Sequence, residues 1–436
     1  MTATFFSPPS SVRESARRSR SSTASPTTST ALVLGSAGAR GAYEVGVARF
    51  LLRDLQREIG VAPTIDILCG TSTGALNALG LAAYADAPLQ GLSFLSSRWS
   101  GLALDQVLRP RQVELLHLAQ LALSPAGGMD TFPGIHSLLD PRPFRKLVEG
   151  NRRLLSVGEQ LRARRLSALS VTTTEVSTGR TTVFFQRGHG TLLPSSGRTA
   201  HYTETDRLGP RHALASAAIP LLFAPVRLRG RLFCDGSLRQ AVPLAPALQL
   251  GARRLIVVST CNQAAFPSPR LGQDREVATA RPLYLLGKAI NILTVDRVED
   301  DLHRLESVNR LLEAGCQAFG DQFVPEMNER LEAQGERPLH HVQAVSIHPS
   351  ESVGRLAADH VRSPSFRARH GGTMGRLLEQ LSEAESGFEA DLASYLLFDG
   401  SFAATLMELG YQDARRRAGA LAALFGDEPR PAASLS

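Results

Sequence analysis

The chain has 436 residues, 43% hydrophobic and 20% charged, a balance that fits a folded enzyme with a large core of two or three domains. There are 48 basic and 41 acidic residues, a formal charge of +7, but only 6% of residues are aromatic and the basic residues do not alternate with them, so nucleic-acid binding is unsupported. Cys69, Cys234, Cys261 and Cys316 lack metal-ligand spacing, so they read as free thiols in a reducing, cytoplasmic setting, with neither metal nor cofactor called for.

Residues 1–29 are rich in Pro, Ser, Thr and Arg, with Glu14 the only acid and no apolar run. That composition predicts a disordered tail and argues against a secretory signal; an organelle transit peptide is the alternative. The run 30–34 then predicts a strand, Gly35 to Gly41 a small-residue loop, and Val45, Ala48, Leu51, Leu52 and Leu55 a helix. A loop of this kind at a helix start directs backbone N–H groups at a phosphate or an oxyanion.

A second strand, 65–69, leads into Gly70-Thr71-Ser72-Thr73-Gly74 and a helical run. Strand, glycine-flanked serine and helix form the context of a nucleophile elbow, which makes Ser72 the candidate nucleophile. The uncharged stretch 67–85 is explained by this strand, turn and helix rather than by a membrane span, and no other segment reads as transmembrane. Residues 100–165, rich in Leu, Pro and Arg, are expected to form helices near the mouth of the site. Further strands are predicted at 167–173, 181–186, 226–234 and 253–259, the third ending at Asp235-Gly236-Ser237, where Asp235 is a candidate base. Beyond Pro282 the pattern turns helical: Val295, Val298, Leu302, Leu305, Val308 and Leu312 form one stripe that Gly315 is expected to end. One more strand at 342–347 precedes helices at about 374–398 and 401–424. No repeat is visible, and the alternation of elements argues for an α/β protein with a mainly parallel, helix-covered sheet.

Three of these segments, in this order, resemble the patatin-like phospholipase family: the glycine-rich loop at Gly35 to Gly41, the Gly-x-Ser-x-Gly at Gly70 to Gly74, and the Asp-Gly pair at Asp235 and Gly236. Ser216 to Pro220, Phe223 to Val226, Leu169 to Phe184 and the tail segments at 394–399 and 409–414 extend the likeness to roughly residues 30–420. The resemblance implies a three-layer α/β core at 30–265, a mostly helical region at 266–425 packed on it, and a flexible end at 426–436. It also implies a Ser72–Asp235 dyad without histidine, an oxyanion hole from the amides of Ala37, Gly38 and Ala39, and support from Arg40, Gly41, Gly70, Gly74 and Gly236. Arg40 would fix the loop, meet an anionic head group or pair at the surface.

The chain departs from the family where Ser36 and Ala37 stand in place of glycines and where Ser237 follows Gly236. The implied substrate is a phospholipid or other lipid ester, hydrolysed through an acyl-enzyme; an acyltransferase using the same dyad is an alternative that sequence does not separate. A nucleotide-binding protein using 35–41 is weakened by the missing Walker lysine. A Ser–His–Asp hydrolase would draw on His340, His341 or His348. The arginines at 13, 17, 18 and 20, and those at 415–417, are either contacts for an anionic membrane or solvated faces. Oligomeric state stays open.

Overall fold

The computed structural model describes residues 29–60, 62–109, 137–188, 201–260, 298–372, 374–376, 378–379 and 393–426. Cys261, the start of the Val295 stripe, most of the expected 374–398 helix, and the expected tails at 1–28 and 427–436 lie outside them.

The described strands are β1 (Thr30–Leu34), β2 (Ile67–Thr71), β3 (Ala168–Glu175), β4 (Thr181–Arg187), β5 (His201–Thr205), β6 (Val226–Leu228), β7 (Arg231–Asp235), β8 (Arg254–Val258) and β9 (Gln343–Ile347). They form one nine-stranded sheet in the order β5-β4-β3-β2-β1-β8-β9, with β7 also on β3 and β6 on β7. From β3 to β9 every pairing is parallel. β3–β4, β3–β7 and β6–β7 are antiparallel. The result is a mixed, mostly parallel α/β sheet.

β1 and β8 are buried along their whole length and read as continuous apolar runs, as strands covered on both faces must. Period-two alternation divides their neighbourhood into two cores. Leu32, Leu34 and Leu68 face the larger one, shared with helices α1 (Gly41–Arg49), α2 (Thr73–Ala83) and α3 (Pro88–Ser100). Ala31, Val33, Ile67 and Cys69 face the other, with Leu244 and Ala247 of the helix Leu244–Gln249. Helix, sheet and helix make the three layers.

The region after residue 266 is joined to that core through both sheet and helices. β9 extends the sheet beyond β8, and helix α10 (Gly400–Arg416) crosses α1 at backbone contact. A Cβ on Gly46 would stand 1.9 Å from the Met407 carbonyl oxygen, and one on Gly410 2.1 Å from that of Tyr43. Only two glycines let these helices approach so closely.

Several elements differ from their sequence expectation. The expected strand 226–234 is a hairpin: Arg229 and Gly230 have φ of +47° and +81°, the left-handed pair of a two-residue turn. Arginine is an unusual occupant there, so the turn carried half its normal signal. β2 begins two residues later than expected, and β5 lies where the sequence predicts no strand. Helix α6 (Val298–Phe319) runs through Gly315 and stops at Gly320, whose φ is +83°. Gly315 is instead the place where the ring of Phe323, on α7 (Phe323–Ala333), packs against the helix backbone. The expected helix 401–424 breaks at Arg417 into α10 and α11 (Ala418–Gly426). Among the described residues, no helix is long and apolar enough to cross a membrane, and no cluster of His, Cys, Asp and Glu is set to hold a metal.

Candidate active site

Strand register brings Ser72 to Asp235. β2 runs parallel to β3 and ends with Thr71 opposite Thr172. β7 runs antiparallel along the same strand and ends with Asp235 opposite Thr173. Two strands of opposite direction thus meet end to end on adjacent residues of β3, and the side chains at their ends converge. Ser72 Oγ donates to Asp235 Oδ2 at 2.7 Å.

Ser72 sits at φ +57°, ψ −127°, a conformation costly for a residue with a Cβ. Its neighbours hold it there. The Ser72 amide donates to Ser216 Oγ at 2.8 Å, and that hydroxyl donates to the Thr172 carbonyl at 2.6 Å. A Cβ on Gly74 would lie 2.4 Å from the Gly35 carbonyl oxygen, one on Gly70 2.5 Å from Ala75 Cα, and one on Gly236 2.4 Å from the Thr172 carbonyl oxygen. These motif glycines are sites of close backbone approach around the elbow.

Asp235 is 1% exposed, and burial pushes its carboxyl up to about 6 against the stabilising hydrogen bonds from Ser72 and from the Ser237 amide at 2.8 Å. An ordinary aspartate is too weak a base for a serine; one near 6 is better matched to neutral pH while remaining largely ionised there.

The loop after β1 is pinned at its start, where the amides of Gly35 and Ser36 bond to the carbonyls of Val258 and Ala241. Among the described residues, the amides of Ala37, Gly38 and Ala39 donate to no acceptor. Gly38 has φ +55°, and a Cβ there would stand 2.6 Å from the Tyr395 carbonyl oxygen. Ser36 and Ala37 adopt conformations open to a side chain, which accounts for their tolerance.

Arg40 is buried, so the surface pairing considered for it does not hold. Its Nε donates to Ser394 Oγ at 2.7 Å, Nη1 to the Thr260 carbonyl at 3.3 Å, and the guanidinium lies 3.9 Å from the Tyr395 ring centroid. It ties the loop to segment 394–395. Gly41 abuts the Trp99 ring. His341 pairs with Glu313 and His348 contacts the Pro349 carbonyl. β9, which these residues and His340 flank, is separated from β2 by β1 and β8, about 14 Å at one strand spacing each.

An apolar cavity of about 90 Å³ begins at Thr73, beside Ser72, and is walled by Leu76, Phe94, Trp99, Phe144 and Phe398. Ser216 and Tyr395 lie in segments that carry the family likeness, but their contacts, through a hydroxyl and a carbonyl, are announced by no local pattern.

A sheet with a glycine-flanked serine between β2 and α2 and a glycine-bearing loop between β1 and α1 belongs to the patatin-like phospholipases: the profile of that family matches residues 32–248, and the chain is a member of it. The family is one of lipid hydrolases. The solved structure of VipD from Legionella pneumophila aligns with 91% of this chain and 67% of its own at 13% identity, with a TM-score of 0.30. No curated protein matches the chain.

Proposed function

We propose that the protein is a serine lipid acyl hydrolase working through a Ser72–Asp235 dyad. The observation that carries this reading is the 2.7 Å contact from Ser72 Oγ to a buried Asp235 carboxyl pushed up to about 6. Ser72 Oγ attacks the ester carbonyl carbon as its proton passes to Asp235 Oδ2. The oxyanion is met by amides of Ala37, Gly38 and Ala39, which have no acceptor of their own among the described residues. Collapse breaks the bond to the alcohol, which leaves with the proton from Asp235. Water then attacks the acyl-Ser72 ester, gives a proton to Asp235, and the fatty acid departs as Ser72 recovers that proton. The apolar cavity beginning at Thr73 supports an acyl chain as the group transferred. A nucleotide-binding use of the loop leaves the buried Ser72–Asp235 pair without a role.

Ser72→Ala and Asp235→Asn should each lower turnover of p-nitrophenyl butyrate by roughly a thousandfold or more with the fold intact. Near-normal turnover by Asp235→Asn, with loss in an alanine variant of His340, His341 or His348, would assign the base to a histidine.

A further inference from the structure

A second cleft, of about 250 Å³, is lined like the apolar cavity by residues of helix α4 (Arg142–Glu149). Phe144 lines both, and its ring packs 5.8 Å from that of Phe223 on the cleft side. The cleft adjoins the Asp235 main chain through its wall: it includes Ala218, whose carbonyl accepts the Asp235 amide at 2.9 Å. The apolar cavity adjoins the dyad through Thr73, the residue after Ser72. Each space thus has a wall residue next to, or hydrogen-bonded to, a member of the dyad.

The cleft pairs an apolar floor with a cationic rim of Arg145, Arg211 and Arg227. Arg145 is neutralised by Glu149 at 3.0 Å. Arg211 donates to the Arg227 carbonyl and Arg227 to the Gly230 carbonyl, and neither forms an ion pair with a carboxylate among the described residues. Two positive charges remain uncompensated. The volume is below the roughly 300 Å³ of the smallest sites that enclose a whole small molecule, so it suits one end of a ligand.

We infer that this cleft binds the head group of a net-negative phospholipid, with the phosphate on Arg211 and Arg227 and the scissile ester carried past Phe144 to Ser72. Guanidinium and phosphate form charge-assisted hydrogen bonds. A zwitterionic head group brings an ammonium to the same two guanidinium groups and is disfavoured, so the cleft selects by repulsion as well as attraction. The inference rests on Ser72 being the nucleophile, which hydrolysis of p-nitrophenyl butyrate tests without any head group.

The test uses dihexanoyl phosphatidylglycerol and dihexanoyl phosphatidylcholine as monomers, below micelle formation, which removes any effect of surface adsorption. The wild-type chain should prefer the glycerol lipid by about tenfold in kcat/KM, the scale of one or two charge-assisted contacts, with the difference in KM. Arg211→Ala combined with Arg227→Ala should bring the ratio to about one. Arg330→Ala, on α7 and outside the cleft, should leave it unchanged. If the double variant fails to fold, inorganic phosphate added to the wild type supplies the second reading: it should raise KM for the glycerol lipid and leave that for p-nitrophenyl butyrate, which has no head group, unchanged. A wild-type ratio near one, a preference that survives the double variant, or equal inhibition of the glycerol lipid and p-nitrophenyl butyrate by phosphate would overturn the head-group assignment; an enzyme still active on p-nitrophenyl butyrate would then retain the Ser72 reading.

Discussion

Asp235 carries a stability cost that follows from the role proposed for it. Its folded carboxyl titrates at about 6 against an ordinary value of 3.8, so the fold binds its proton more tightly than the unfolded chain does. Stability from this group is fully present below about pH 4 and is lost as pH rises through about 6, a cost of about 3 kcal/mol at pH 8. Asp235→Asn should therefore be inactive yet more stable than wild type at pH 8, with the gain shrinking toward pH 4; chemical denaturation at both pH values measures it. A variant less stable at pH 8 would mean that the hydrogen bonds of the carboxylate outweigh its desolvation. At Gly38 the left-handed φ and the Tyr395 carbonyl both oppose a side chain, so Gly38→Ala should lose up to about a hundredfold in turnover, whereas Ala37→Gly should be nearly neutral. Steady-state rates that reverse this order would move the oxyanion site elsewhere. Ser72 and Asp235 were legible in the sequence because a glycine-flanked serine after one strand and an Asp-Gly after another are local patterns. Their meeting was not, because it depends on β7 docking against β3 where β2 stops. Ser216 contacts the Ser72 amide from 144 residues away; the likeness at Ser216 to Pro220 marks the segment but not this contact.

At the scale of elements, strands whose burial is uniform are the easiest to read: β1 and β8 are short, largely apolar runs, buried throughout. The hairpin at Arg229 and Gly230 looks like one strand in the sequence because its first turn residue is an arginine forced to φ +47° by the tight β6–β7 pairing. Gly315 looks like a stop because glycine commonly ends helices, but here it serves interhelical packing while Gly320 supplies the left-handed end. The contact between α1 and α10 gives the sharpest test of the packing. Gly46→Ala and Gly410→Ala each place a methyl against main-chain atoms of the other helix, which a side-chain rotation cannot relieve. Each should destabilise the chain by about 3 kcal/mol, the upper range for overpacking, and lower the thermal midpoint. A midpoint within a degree of wild type for both would show that the helices separate at no cost.

Across the whole molecule, the family profile ends at residue 248, but the sheet does not: β8 and β9 continue it, and segment 394–395 covers the loop beside the site. Sequence periodicity could suggest a helical C-terminal region but not that Tyr395 would reach Gly38. The surplus of seven positive charges predicts weak adsorption to anionic bilayers. Turnover on anionic vesicles should exceed that on neutral ones and fall as salt rises, since the screening length shrinks from about 10 Å at 0.1 M to about 3 Å at 1 M. Hydrolysis of p-nitrophenyl butyrate should barely respond, and vesicle turnover indifferent to lipid charge and salt would remove adsorption from the account.

The dyad itself is tested most directly by the rate at which a fluorophosphonate labels the enzyme, with the adduct mapped to its peptide, as a function of pH. The account predicts one adduct, on Ser72, whose formation slows about tenfold for each pH unit below about 6 as Asp235 takes up its proton, and which is lost in Asp235→Asn. An adduct on another residue, or labelling of Ser72 in Asp235→Asn as fast as in wild type, would contradict it.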